Sequence, residues 1–541
     1  SSYEGGAALV AAERGGGGKM VAEVVGAFNQ VTERMKMRVL SRSSSQLIFE
    51  VLKLSVPILH SLPPHHGRSP LSMALSLAIL LADLQMDAEV ISVGILRHVF
   101  DAGAISIQQV RDRIGASTSH LLHESLRLKS IHPSVTDSMD DEGAFAYRKF
   151  CLAYYDIRAI VIDLALRLDS MRHVDVLPRY HQQCLSLQVM FIHAPLAHAI
   201  GANWLSLELE DLAFQYLFPF SYLYVDAWLR SHESGCRHLI DSSIRELRES
   251  LGADPVLSTL VMDISIHGRY KSRYSTMKKL LRDGRKPEDV NDVLGLRVVL
   301  KPRPENPSEC GEQACYKTRE IIRSMWKEVP KRSKDYIANP KPNGYRSLHM
   351  AVDLSEDDSD QTPLMEIQIR TTTMELLTVG GTAAHSLYKA GVTDPEEATR
   401  LKSLMTAAAE VAAVRLRDFA TLSQPRVDKR DRMFRLLDKN GDGKISIEEL
   451  AEVMEELGAT GEDAREMMQL LDSNNDGALS SDEFDTFQKQ IEFMRKLEDK
   501  DNEFKAMLNE NLPLKEQPSG LIQVYSQELG DRLARVQGIC T

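Results

Sequence analysis

Two stretches of this chain, DKNGDGKISIEE at 438–449 and DSNNDGALSSDE at 472–483, restrict what its C-terminal part can become more tightly than any other feature. In the first, Asp438, Asn440 and Asp442 alternate, so three side-chain oxygens converge on one cation. Gly443 supplies a sharp turn, Lys444 offers its backbone carbonyl, Ser446 acts directly or through water, and Glu449 closes the shell with both carboxylate oxygens. Asp472, Asn474, Asp476, Gly477, Ala478 (through its carbonyl), Ser480 and Glu483 repeat the pattern. A shell of many oxygens is what calcium requires. A single Asp/Asn/Gly cluster is ordinarily a turn. Two complete loops flanked by amphipathic segments, with Phe434, Leu437, Val453, Met468, Phe484 and Phe487 on the apolar faces, read as a pair of helix–loop–helix calcium modules. Ile445 and Leu479 sit at the inward position where such loops form a short two-stranded contact.

Charge elsewhere agrees with a cation-binding end. The net charge of -12 and pI near 5.8 argue against a protein that coats nucleic acid, and leave room for local anion pockets. Lys and Arg concentrate around 269–285 and acidic residues over 428–511, which places an anion-binding centre in the middle and this EF-hand pair behind it. Six cysteines, at 151, 184, 236, 310, 315 and 540, form no CxxC pair, and Cys310 and Cys315 have no nearby His, so free thiols are expected. No apolar run approaches the roughly 18–20 residues of a membrane span. The chain starts Ser1-Ser2 without Met, which reads as removal of an initiator or targeting peptide.

Residues 1–40, rich in Gly and Ala near their start, are expected to be a partly disordered leader. From 41 to 230, apolar residues at three- and four-residue spacing, as in 71–86, 157–171 and 185–200, predict an all-α domain. From 231 to 395 short β-prone runs appear at 295–300, 348–354 and 364–369, separated by helical stretches such as 313–328, and predict an α/β domain with a central sheet. A helical linker over 396–427, the all-α EF-hand pair over 428–495 and a tail over 496–541 complete the reading.

The run GRYKSRYSTMKK, 268–279, sets Arg269, Lys271, Arg273, Lys278 and Lys279 around two serines. Alone it would be a solvated basic helix face. Asp292, opening DVLGLRVV, and Glu366, in EIQIR, add two carboxylates at strand ends, the set that magnesium takes together with phosphate oxygens. Between them, 334–350 frames Lys341, Asn343, Tyr345 and His349 with Pro and Gly: groups that stack a base and bond its edge. By themselves these residues reach magnesium-dependent transfer chemistry on nucleotides and stop there.

In their order and spacing, RxKSxYS, DVLGLR, RSKDYIANPKPNGYRSLH and EIQIRT…AAH…YK make 256–391 resemble the synthetase domain of RelA/SpoT homologues. These enzymes transfer the β,γ-pyrophosphoryl group of ATP to the 3′-hydroxyl of GTP or GDP. The resemblance implies that Arg269 packs against adenine, that Lys271, Ser275 and Lys279 bind ATP phosphates, and that Asp292 and Glu366 hold magnesium, Glu366 also taking the ribose proton. It further implies that Tyr345 stacks on guanine beside Asn343 and His349 and that Lys341 holds guanosine phosphate. Arg297 on the ATP side and Gln368 on the GTP side become supports. Arg332, Ser333, Lys334 and Asp335 follow the basic variant of a segment bearing on metal and substrate preference, with Lys334 on the GTP side.

The region 41–230 resembles the HD-type hydrolase domain that precedes the synthetase in long members of that family, through APLAHAIG at 194–201 and LELEDLAFQYLFP at 207–219. Its metal residues depart from the family. Ser69-Pro70 replaces His-Pro, Arg97-His98 replaces His-Asp, Asp101-Ala102 replaces Glu-Asp, and Leu166 to Ser170 replaces Asp-Arg-Leu-His-Asn. Arg97 would place a fixed positive charge where a divalent cation belongs, so an inactive hydrolase kept as scaffold is expected.

Synthetase and EF-hands in one chain resemble the plant calcium-activated RelA/SpoT homologues, which implies a chloroplast location. It also implies Mg2+ and Ca2+ as cofactors, ATP and GTP or GDP as substrates, and neither membrane nor nucleic acid as a direct partner. The ribosome-reading C-terminal domains usual in long bacterial relatives are not expected here, and calcium is the expected input in place of the ribosome. The expectation is a calcium-activated (p)ppGpp synthetase, a GTP diphosphokinase, with the 396–423 helix transmitting the signal. The alternative is a calcium-sensing scaffold without synthetase activity, which loss of GTP binding would reveal.

Overall fold

The computed structural model describes residues 4–35, 42–64, 67–130, 141–270, 272–282, 294–304, 307–341, 345–354, 364–380, 434, 437–456, 464–465, 468, 471–472, 474 and 476–511. The first half is helical: α1 (Glu4–Met35), α2 (Arg42–Ser61), α3 (Pro70–Asp83), α4 (Ala88–Asp101), α5 (Ile107–Arg113), α6 (Ala116–Ser130), α7 (Asp141–Tyr154), α8 (Ile157–Arg172), α9 (Arg179–Gln188), α10 (Ala194–Ala199), α11 (Asn203–Leu217), α12 (Pro219–Ala253) and α13 (Pro255–Leu260). Local chemistry starts several of them. Ser69 caps α3, with Pro70 at its first position, and Asp87 and Asp156 accept backbone N–H groups at the starts of α4 and α8. Ser106 and Gln109 form a reciprocal capping box on α5. The core lies where α3, α4 and α8 meet, with Leu77, Leu81, Ile91, Leu96, Leu164 and Leu168 fully buried. At Gly94 a Cβ would stand 2.5 Å from Leu81 Cδ1, so glycine is what lets α3 and α4 approach so closely.

Part of the leader is helical. Helix α1 runs from Glu4, and Ala27, Val31 and Met35 are buried against the core, with Met20, Val24 and Phe28 packed beside them. An apolar stripe at three- and four-residue intervals over 20–35 gives this helix a buried face.

Behind the helices lies one six-stranded mixed sheet made from β1 (Val261–Tyr270), β2 (Leu294–Pro302), β3 (Lys327–Glu328), β4 (Lys334–Asp335), β5 (Leu348–Asp353) and β6 (Met365–Thr371). Its order is β1-β2-β6-β5-β3, with β4 also on β5, and β2 and β6 run parallel at its centre. Leu296, Val298, Leu300, Ile367 and Ile369 are wholly buried there. Helix α15 (Pro307–Met325) covers it with Ala314, Cys315 and Ile322, and α14 (Arg273–Met277) and α16 (Thr372–Gly380) flank it. The three expected strands are β2, β5 and β6. Strand β1 comes in addition, hidden from sequence because its second half merges into the basic run.

In the C-terminal part, β7 (Lys444–Ser446) pairs antiparallel with β8 (Ala478–Ser480), with Ile445 opposite Leu479. Helix α17 (Ile447–Glu456) follows the first loop and α18 (Ser481–Asn511) the second. Two helices run through expected domain limits. Helix α12 passes 230/231 and joins the helical region to the sheet, and α18 passes 495/496 and buries Leu497, Phe504 and Leu508 in the main core. The expected linker 396–427 and the tail beyond Asn511 lie outside the described residues. Cys151, Cys184, Cys310 and Cys315 are free thiols, and no described helix is long and apolar enough to cross a membrane.

Candidate active site and calcium loops

Strand register collects most of the described synthetase candidates. Arg269 on β1 pairs with Gly295 on β2, Gly295 with Glu366 on β6, and Glu366 with Ala351 on β5. Two residues along, His267, Arg297, Gln368, His349 and Lys334 form the adjacent row across five strands. Residues paired across strands, and residues two apart within one, share a face, so both rows lie on the same side of the sheet. A Cβ at Gly295 would stand 2.7 Å from the Glu366 carbonyl oxygen, which makes glycine obligatory beside that carboxylate.

On this face Glu366 Oε1 lies 2.8 Å from His349 Nδ1 and accepts from Gln368 Nε2 at 3.2 Å. His349 Nε2 meets the Tyr345 hydroxyl at 2.7 Å. A carboxylate at Nδ1 favours the tautomer with its proton there, which leaves Nε2 to accept from the phenol. The Tyr336, Tyr345 and His349 rings meet edge to face, and the Lys341 ammonium lies 4.8 Å from the centroids of both tyrosines. Asp335 accepts the Ile337 and Ala338 N–H groups and the Tyr316 hydroxyl, fixing the turn that leads to Lys341. Arg297 and Arg370 both pair with Glu375 at the start of α16.

The basic run divides between strand and helix. Arg269 lies on β1. Ser272 caps α14 by accepting from Ser275 N, and the helix continues as a π turn over Lys278–Arg282. Ser275 and Lys279 are half-buried on it, one helical step from Tyr274 and Lys278. Lys271, Asp292 and Asn343 lie outside the described residues.

Both calcium loops are closed by their own oxygens. Asp438 accepts the Gly441, Asp442 and Gly443 N–H groups, and Asp472 accepts those of Asp476 and Gly477. Asn440 and Asn474 accept from Asp442 and Asp476, while Glu449 and Glu483 reach back across their loops to the N–H groups of Asn440 and Asn474. Gly443 and Gly477, both at φ +83°, make the turns that only glycine adopts readily. Backbone donors from Ser446, Asn440 and Lys439 hold the Glu449 carboxyl below its usual range, so it is charged and acceptor-only. This donor set fits calcium. Lys444 Nζ crosses from the first loop to Asp476 Oδ2 at 2.8 Å.

Residues 268–393 match the model for the region found in RelA / SpoT proteins, 52–203 that for the HD domain, and 428–489 that for an EF-hand domain pair. The chain is 65% identical over 527 residues to the probable GTP diphosphokinase CRSH, chloroplastic, of Arabidopsis thaliana, covering 96% of this chain and 90% of that protein. The chain belongs to the GTP diphosphokinase CRSH family. The GTP diphosphokinase CRSH1, chloroplastic, of Oryza sativa subsp. japonica is 59% identical over 96% of this chain and 88% of its own length. A GTP pyrophosphokinase of Myxococcus xanthus matches 63% of this chain at 30% identity.

Within this CRSH-family chain the HD region does not fit a metal. Arg97 is 2% exposed, donates to Ser125 O and Oγ at 2.9 and 2.6 Å, and pairs with Asp101 at 3.6 Å. Arg68 donates to Asp169 Oδ2 at 2.8 Å and lies 2.9 Å from His173 Nδ1. Burial pushes the His98 imidazole down to about 4. Two guanidiniums thus satisfy the carboxylates a cation would need. Sequence reasoning missed Tyr336, His267 and Glu375, which strand register and packing bring in. It also missed Glu210, Asp211, Asp226 and Asp501, whose partners lie far off in the chain.

Proposed function

We propose that the chain transfers the β,γ-pyrophosphoryl group of ATP to the 3′-hydroxyl of GTP or GDP, and that calcium at the paired loops switches this transfer on. The observation that carries the reading is the pair of register rows that put Arg269, Glu366, Gln368, His349, Arg297 and Lys334 on one sheet face beside Tyr345 and Lys341. Glu366 takes the 3′-hydroxyl proton as that oxygen bonds to the β-phosphorus; the α–β bridge breaks and AMP leaves. His349, held by Tyr345, fixes the Glu366 carboxylate through Oε1. Asp292 and Glu366 would hold magnesium, which would supply charge neutralisation at the phosphates. Ser275, Lys279, Lys271 and Arg269 hold ATP, while Tyr345, Lys341 and Asn343 orient the guanosine nucleotide. Positioning and neutralisation carry most of the acceleration in such a transfer.

For the switch, we assign the transmitting role to α18. It begins at the second calcium loop and packs, further along, against α12, α9 and the Lys278–Arg282 turn. From Glu483 to Asp501 a rigid helix spans about 27 Å. There Asp501, 1% exposed, accepts the Phe220 and Ser221 N–H groups at 2.8 and 2.9 Å and so caps α12. The expected 396–423 transmitter lies outside the described residues. The arginine-filled HD region supports an inactive hydrolase, and the relatives' names support a chloroplast location.

The test is conversion of labelled ATP and GTP to pppGpp with magnesium, in calcium or in excess EGTA. Product only with calcium supports both parts; equal product in both removes the switch; none in either, from folded protein, removes the enzyme.

A further inference from the structure

The helical region carries an acidic grip on the synthetase's basic run. Asp211, on α11, accepts the Arg273 and Tyr274 N–H groups at 3.1 and 2.9 Å, capping α14 from another part of the fold. Asp226, on α12, accepts Arg273 Nε and Nη2, both at 2.9 Å. Glu210 pairs with Lys278 at 3.2 Å, with both side chains mostly buried. Tyr274, fully buried, packs on Phe214 of α11 with ring centroids 5.7 Å apart.

Two of the basic run's cations are therefore spent on carboxylates of the helical region. The held stripe is Tyr274 and Lys278; the neighbouring stripe, Ser275 and Lys279, is the one read as binding ATP phosphates. A five-residue helix followed by a π turn has little stability of its own, so its orientation depends on what holds it.

We propose that Glu210, Asp211 and Asp226 are positioning residues for the transfer: the helical region orients the ATP-phosphate stripe of the synthetase. This rests on the reading of Ser275 and Lys279 as the ATP stripe. It gives a domain without a metal centre a direct part in catalysis, because the grip sets the phosphate-binding geometry that in-line transfer needs.

The test uses the full chain with calcium, measuring kcat and the KM for ATP and GTP separately. Asp211→Asn and Asp226→Asn are expected to raise the KM for ATP at least tenfold, with that for GTP within about twofold and the melting temperature within a few degrees. Asp226→Glu should recover most of the loss. Equal rises in both KM values with a lowered melting temperature would mean ordinary structural loss and overturn the proposal. An unchanged KM for ATP in both Asn variants, with Lys279→Ala raising it, removes the grip alone. Lys279→Ala also leaving it unchanged removes the ATP-stripe reading and this inference with it.

Discussion

His349 Nδ1 on β5 stands 2.8 Å from Glu366 Oε1 on β6, and the same imidazole meets the Tyr345 hydroxyl through Nε2. The carboxylate read as the general base is therefore held from a neighbouring strand. Glu366→Gln keeps the shape and removes the basicity, and should lower kcat by roughly 10²–10⁴. His349→Ala should cost less, about tenfold, because the carboxylate survives and keeps the Gln368 donor. Single-turnover rates beside GTP titration by calorimetry check both, and a rate unaffected by Glu366→Gln would remove it as base.

Asp501 contacts α12 across 280 residues of sequence. Asp501→Ala leaves the Phe220 and Ser221 N–H groups at the start of α12 without their acceptor, the buried Ser221 one costing about 1–3 kcal/mol. If α18 carries the signal, the ratio of rates in calcium and EGTA should fall at least about fivefold, the lower end of ordinary coupling energies, while the EGTA rate holds. Assays at matched folded fraction check this, and an unchanged ratio would exclude α18 as transmitter.

Glu449→Gln with Glu483→Gln removes the carboxylate that closes each loop, and the rate in calcium should drop to the EGTA level. Lys444→Met should move calcium affinity the other way. Its ammonium occupies a ligand of the other loop at 2.8 Å, and an exposed pair of this kind shifts affinity only a few-fold. Calcium titration by calorimetry reads both variants.

Burial, opposed by the Tyr274 and Arg273 N–H groups and the Arg273 charge and helped by Glu210, pushes the Asp211 carboxyl up to about 6. Arg273 also faces Asp226 and Tyr222 of α12. Below about pH 6 the protonated carboxyl is a poorer acceptor for α14, so the KM for ATP should rise as pH falls from about 7 to 5, and Asp211→Asn should flatten that dependence. Stability moves oppositely. A folded-state value above the unfolded one means protonation favours folding, and that contribution is lost as pH rises through about 6. Parallel KM and melting profiles across this range check both signs.

Arg97 and Arg68 occupy the HD core with fixed charge. The full chain supplied with manganese should release no pyrophosphate from ppGpp, and Arg97→His should not restore it while Arg68 still pairs with Asp169. Detectable hydrolysis by the parent chain would overturn the reading of an inactive hydrolase.

The calcium loops were fully legible in the sequence because every ligand lies within twelve consecutive residues and the turn depends on a local glycine. The same holds for β2, β5 and β6, whose apolar runs are self-contained, and for Arg97, whose fixed charge is read from the sequence alone. What holds the basic run in place was not legible. Arg273 and Lys278 pair with acids 47 and 68 residues away, and only packing of α11 and α12 decides that. The leader's helix and the course of α18 past its expected end depend in the same way on a distant core. Local residues set what a segment prefers; desolvation of groups far apart in the chain selects among those preferences, and that term exists only once the fold has closed.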